Sequence, residues 1–454
     1  VKDAVRGVEF DYTAIHLNRS ILLLAIPMVL EMAMESVFAV VDVFFVSRLG
    51  AEAVATVGIT ESLITLVFAV ALGLSMAVTA MVARRVGEGN REEACVAAMQ
   101  AIWIGLAISV LIGVAGYLLA PHLLRAMGAE ASLVASGTGY AQVLLSGCGT
   151  VLMLFLINAI FRGAGNAAIA MRVLWIANGV NLVLDPCLIF GLGPFPEMGV
   201  TGAAVATTIG RGVGVALQVW ALFQGEGRIA LGRRHLVLRA DIIWRLLRVA
   251  STGTLQYLVA TASWVAMVRI IARFGSPALA GYTIAIRVIV FTILPSWGLS
   301  NAAATLVGQN LGAGKPERAE QSVWMSGLYN MLFLGGVSLI FILAPEAIMG
   351  LFTRDAEVLS IGANCLRIIA YGYIAYAYGM VMVQAFNGAG DTLTPTLINL
   401  GCYWLFQIPA AYALAVQWKM QGHGVFWAIL AAETAMAAVA IVLFRRGKWK
   451  LKTI

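Results

Sequence analysis

Three acids lie in one apolar stretch, Glu31, Glu35 and Asp42, at relative positions 0, 4 and 11. On an α-helix turning about 100° per residue they fall near 0°, 40° and 20°, so a single stripe carries all three. A second apolar run, "NGVNLVLDPCLIFGLG" (178–193), places Asn178, Asn181 and Asp185 on one helical face, with Pro186 directly after. A carboxylate with amide and hydroxyl oxygens nearby, here Asn158, Asn181 and Thr207, suits a stored proton or a hard cation such as Na+. The competing reading is that Asp42 and Asp185 are buried hydrogen-bonding partners with a structural role only.

Other chemistries lack their residues. The five cysteines are scattered without a C-x-x-C spacing, and His16, His122, His235 and His423 are dispersed. The Gly-rich "GEG" and "GAG" segments lack the Gly-Lys-Ser/Thr that grips nucleotide, and no nucleophile–base pair emerges. An enzyme is not expected, nor a resident cofactor.

The elements that position these residues follow from composition. The chain of 454 residues is 61% hydrophobic and 12% charged, whereas a soluble domain is about a quarter charged. Twelve apolar runs are each long enough to cross a ~30 Å hydrocarbon core as an α-helix. They are predicted at 21–46, 54–83, 93–118, 134–160, 168–190, 199–224, 244–272, 279–309, 319–345, 358–386, 393–417 and 423–444. No cleaved signal is expected at the start of the sequence.

Lys and Arg outside these runs fall mostly on the side of the N-terminal tail, which predicts cytoplasmic termini in a multi-pass inner (plasma) membrane protein. The net charge of +7 is explained by these loop ends and by the lipid bilayer they face, so nucleic acid is not an expected partner.

The chain repeats itself. Shifted by 225, "GLSMAVTAMVARRVGEGNREEA" (73–94) falls on "GLSNAAATLVGQNLGAGKPERA" (298–319), with nine of 22 positions identical. Each unit holds six spans, so the halves are parallel repeats. The expected organisation is an N-terminal tail (1–20), an N-lobe (21–224), a linker (225–243), a C-lobe (244–444) and a basic tail (445–454).

Acids inside spans are costly and mark a partner, a wet cavity or a task. They are Glu31, Glu35, Asp42, Glu61, Asp185 and Glu433, five of them in the N-terminal half. The shift by 225 puts Gln256, Ala260 and Met267 opposite the acid stripe, so the charge is not repeated. Pro27 can bend the stripe's helix. Glu31, Glu35, Met34, Trp175 and Met267 are the candidates to line a substrate pocket, with Trp264, Trp297 and Tyr376 as further aromatics.

At "VVDVFFVSRLGAEAVATVGI", "LVGQNLGAGKPERA" and "FNGAGDTLTPT" the chain resembles the multidrug and toxic compound extrusion family over residues 20–446. "NLVLDPCLIFGLG", Pro27 and Asp42 are similar to its DinF-like branch, whose ion-linked acids lie in the N-lobe. The resemblance implies an all-α membrane protein of two six-helix bundles. It implies H+ or Na+ coupling at Asp42 and Asp185, joined by Asn181, Thr207 and Asn158, with Asp42, Asn181, Asp185 and Thr207 as Na+ ligands. Pro27 matches the bending proline. A C-lobe ion site is not implied, because Ala260 stands where that branch has Glu and 358–386 holds no acid.

The expected function is a secondary antiporter, a monomer, that exports organic, cationic, amphipathic small molecules. The alternative is a flippase for lipids or lipid-linked saccharides, whose cavity needs more intramembrane Arg and Lys than Arg211, Arg287 and Arg367.

Overall fold

The computed structural model describes residues 2–8, 10–224 and 227–454, without the side chains of Asp42, Val43, Ser47 and Ala51. Among the described residues the regular structure is all helical. Eleven helices are long and apolar enough to span a membrane, and a bent pair makes a twelfth. In the first lobe they are α1 (Leu17–Val46), α2 (Glu52–Gly87), α3 (Arg91–Ala126), α4 (Ala131–Ala164), α5 (Ala167–Phe190) and α6 (Val200–Gln224). In the second they are α7 (Ala240–Phe274), α8 (Ser276–Gly312), α9 (Pro316–Leu343), α10 (Ala356–Ala370 with Tyr373–Gly388), α11 (Leu393–Gln417) and α12 (Gly422–Arg445).

Apart from polar stripes on α1, α5 and α6 that turn inward, these helices are apolar, as a lipid environment requires. Val110, Leu111 and Leu118 on α3, and Leu339 and Leu343 on α9, are largely exposed, which in hydrocarbon carries no penalty. The span expected at 358–386 is bent by 60° between Ala370 and Tyr373. A side chain at Gly372 would meet Leu430 Cδ1 at 2.5 Å, so the break presses the backbone against α12. By contrast, α1 runs through Pro27 as one continuous helix.

The lobes meet along α1 with α8, α2 with α7, and α2 with α8. This interface obeys the repeat. A Cβ on Gly298 would lie 2.5 Å from Met28 O, and one on Gly73 would lie 2.5 Å from Thr254 N, with Val29 and Thr254 related by the same shift of 225. Nearer the arginine-rich side, Gly87 abuts Gln309 O and Gly312 abuts Arg84 O, again related pairs. Backbone-to-backbone contact at these points closes the arginine-rich end, and only glycine permits it.

Two terminal segments strap the same end. Arg172 of the first lobe and Arg228 of the linker donate to Val5 O and Phe10 O, while Lys315 and Arg318 of the second lobe donate to Thr13 O and Tyr12 O. At the other terminus Arg84 and Arg85 donate to Lys452 O and Ile454 O, and Lys452 pairs with Asp391 at 3.2 Å. Gly87→Val or Gly312→Val should wedge this closure apart. Spin labels at E88C and K315C would then report a longer distance in the variants than in the parent; an unchanged distance would refute the glycine contact as the closing element.

Candidate functional site: the polar interior of the first lobe

Glu31 and Glu35, the described acids of the α1 stripe, face the interior of their lobe, and what they meet there is arginine. Glu31, 1% exposed, pairs with Arg162 Nη1 at 3.0 Å. Its Oε1 also accepts from Asn158 Nδ2 at 3.0 Å, and Gln218 Nε2 donates to Asn158 Oδ1 at 2.5 Å. One turn along, Glu35 pairs with Arg211 Nη2 at 3.6 Å and accepts from Asn178 Nδ2 at 3.2 Å. The Arg211 guanidinium also lies over the rings of Phe38 and Phe68, 6.0 and 5.7 Å from their centroids. Charge buried this deeply persists only when paired and hydrogen-bonded.

The residues that answer the stripe form a stripe themselves. Thr207, Arg211 and Gln218 on α6 have the same 0, 4 and 11 spacing as Glu31, Glu35 and Asp42. The two helices run in opposite directions, so Arg211 meets Glu35 while Gln218 reaches toward Glu31 through Asn158.

A third polar layer lies one turn beyond. Asp185 is fully buried on α5, and Asn181 is 2% exposed. In the amide orientation that satisfies both neighbours, Asn181 Nδ2 donates to Asp185 Oδ2 at 2.9 Å. Its Oδ1 then accepts from Thr207 Oγ1 at 3.1 Å and Thr207 N at 2.8 Å. A carboxylate, an amide and a hydroxyl are thus linked in one buried hydrogen-bonded chain, built from residue types that a stored proton or a hard monovalent cation uses.

The expected ion set is therefore divided. Asn181, Asp185 and Thr207 come together. Asn158 does not join them; it faces Glu31 and Gln218, because α4 carries it at the level of the first acid of the stripe. Asp42 belongs to α1 by its backbone, and its side chain lies outside the described residues.

A cavity of about 250 Å³ opens between the lobes. Glu35, Phe68 and Arg162 line it from one side, and Tyr257, Trp297 and Gln384 from the other. Of the five expected pocket residues, only Glu35 is on its wall. Glu31 sits behind Arg162, and Met267 is 1% exposed in the core of the second lobe. Trp175 is on the outer surface with its indole donating to Leu30 O, and Met34 lies off the wall on the same helix as Met32, which faces it. The helical turn decides this: residues two apart on α1 point about 160° apart by its 3.6-residue period.

Arg162, just beyond the span predicted at 134–160, is buried within α4, which runs on to Ala164. Its signal, and that of Arg211, was the need of each intramembrane acid for a partner. In the second lobe, Glu433 accepts from Tyr403 OH at 3.2 Å beside a small aromatic cavity that includes Trp264 and Tyr376.

Two parallel six-helix bundles, a cavity at their interface and a polar interior in one of them define a two-lobed membrane transporter. The chain belongs to the MatE family, whose pattern matches residues 27–187 and again 254–413. It is 27% identical to the probable multidrug resistance protein NorM of Thermotoga maritima, over 96% of this chain and 94% of that protein. It is 26% identical to the FAD transporter of Shewanella oneidensis, over 82% of this chain and 83% of that one. A solved outward-facing structure of a multidrug resistance MATE family transporter of the MOP superfamily superposes with a TM-score of 0.91, at 26% identity and 99% coverage of both chains.

Proposed function

We propose that this protein is a multidrug efflux antiporter that exports organic, cationic, amphipathic compounds in exchange for H+ or Na+. The observation that carries the reading is the buried Asn181–Asp185–Thr207 cluster, in the lobe whose acids also reach the inter-lobe cavity through Glu35. The multidrug resistance proteins among its relatives support the efflux half of the reading.

The ion enters from outside and neutralises Asp185 and Asp42, with Asn181 and Thr207 supplying the remaining oxygens. Neutralisation removes charge that otherwise favours a bound cation, and α1 responds by bending at Pro27, where the ring removes a helical hydrogen bond. Ion and drug then favour different states of one protein, and the exchange is their differential affinity. No cofactor is required, and a monomer in the inner membrane, divided into lobes 21–224 and 244–444, suffices.

The flippase alternative is weaker on the geometry. The interior arginines of the first lobe are already committed to acids, Arg162 to Glu31 and Arg211 to Glu35, and Arg367 pairs with Glu346 at 2.8 Å. Arg287, on the exposed face of α8, is the one of the three span arginines without an acid partner among the described residues, so little free positive charge remains in the interior for an anionic headgroup.

The test is efflux of a fluorescent organic cation from proteoliposomes with pH and Na+ gradients imposed separately. One of the two gradients is expected to drive transport and so to name the ion. Transport indifferent to both would overturn antiport.

A further inference from the structure

The two ion pairs inside the first lobe are not alike. Glu31 and Arg162 are locked: they share a hydrogen bond of 3.0 Å, Asn158 donates to the same carboxylate oxygen, and Glu31 is 1% exposed. Glu35 and Arg211 stand 3.6 Å apart, beyond hydrogen-bonding distance, and the Glu35 side chain keeps 19% of its surface exposed. Arg211 Nη1 has no hydrogen-bond partner among the described residues.

The looser pair is the one beside the central cavity. Glu35 and Phe68 are on the cavity wall, and the Arg211 guanidinium lies over the ring of Phe68 as well as that of Phe38. A carboxylate and an aromatic face are what an organic cation needs, one for its charge and the other for its apolar body. Arg211, its side chain 9% exposed, holds these partners from behind the wall. A guest would meet the same carboxylate from the cavity side.

We propose that Arg211 is a tethered stand-in for the transported cation: an organic cation entering the cavity takes Glu35, and Arg211 gives it up. The inference rests on the efflux reading above and assigns charge recognition in that cavity to the exchange of partners at Glu35. Asn178 donates to Glu35 Oε2 at 3.2 Å, so the carboxylate is held while Oε1 changes partner. Arg211 keeps its two aromatic faces after release, but it loses its only carboxylate partner among the described residues. That loss opposes binding of the cation. Arg211 therefore limits how tightly the cavity holds its guest, and it neutralises Glu35 once the guest has left.

The test uses the purified protein in detergent and two fluorescent probes of one body: dansyl-hexanediamine, a primary ammonium, and its N-acetyl derivative, which is neutral. Arg211→Met keeps an extended side chain against Phe38 and Phe68 and removes the charge. It is expected to bind the ammonium probe at least about tenfold more tightly than the parent. Glu35→Gln keeps an oxygen for Asn178 and is expected to bind that probe at least about tenfold more weakly. Affinity for the neutral probe should stay as in the parent in both variants. If R211M is not monodisperse, R211Q, which is also neutral, should raise ammonium affinity in the same sense. A folded Arg211 variant that binds the ammonium no more tightly, an E35Q that binds it as well as the parent, or parallel changes for the neutral probe would overturn the exchange and leave the efflux reading standing. Binding of neither probe by the parent would overturn both.

Discussion

Asp185→Asn is expected to abolish gradient-driven efflux while leaving the folded protein intact. The substitution preserves size, and an amide oxygen can still accept from Asn181 Nδ2, which donates to Asp185 Oδ2 in the wild type. What it removes is the change of charge when an ion binds. Without that change the ion-loaded and ion-free states differ less in their affinity for drug. The coupling lost is about 1–3 kcal/mol, or roughly 5–150-fold in relative affinity. Asp42→Asn should behave alike. Efflux from proteoliposomes at matched protein content decides the matter; if each variant pumps as well as the parent, these acids do not carry the coupling. Pro27→Ala should reduce turnover while ion-dependent binding persists, because it acts on the bend and spares the acids.

Arg162→Ala is expected to produce the largest loss of stability among interior substitutions. Glu31 is 1% exposed, and Arg162 supplies its only cationic partner among the described residues. Removing one member of a buried ion pair leaves an uncompensated charge, at a cost of about 3–5 kcal/mol. The reverse deletion, Glu31→Gln, should cost less, because the arginine left behind borders the inter-lobe cavity whereas Glu31 lies behind it. Combining the two as E31Q/R162A should recover part of the loss. Thermal midpoints of the four proteins in one detergent test this cycle. Strict additivity would show that the pair is not coupled and that its geometry has no energetic weight.

Much of the architecture was legible along the chain. Apolar runs of the length of a bilayer and the shift by 225 expose twelve spans in two parallel bundles, and the structure returns that plan in the related contacts of Gly73 with α7 and Gly298 with α1. The 0, 4, 11 stripe on α1 was legible too, since helical periodicity is a local property of the backbone. The answering stripe of Thr207, Arg211 and Gln218 has the same spacing, yet nothing local ties it to α1. The bend at Gly372 was also hidden, because glycine in an apolar span is common and only the approach of Leu430 shows what this one permits.

By itself, then, the sequence determined the membrane class, the repeat, the family resemblance and which helix faces are polar, because hydropathy, period and internal identity are properties of neighbours in the chain. Only the tertiary structure decided that Glu31 and Glu35 are neutralised by Arg162 and Arg211, and that Asn158 serves Glu31 while Asn181 and Thr207 serve Asp185. It also decided that Met267 and Trp175 lie away from the cavity while Glu35, Tyr257 and Trp297 line it. Each of those facts is a pairing between helices far apart in sequence. Which charges meet is set by the packing of α1, α4, α5 and α6, and no local pattern encodes it.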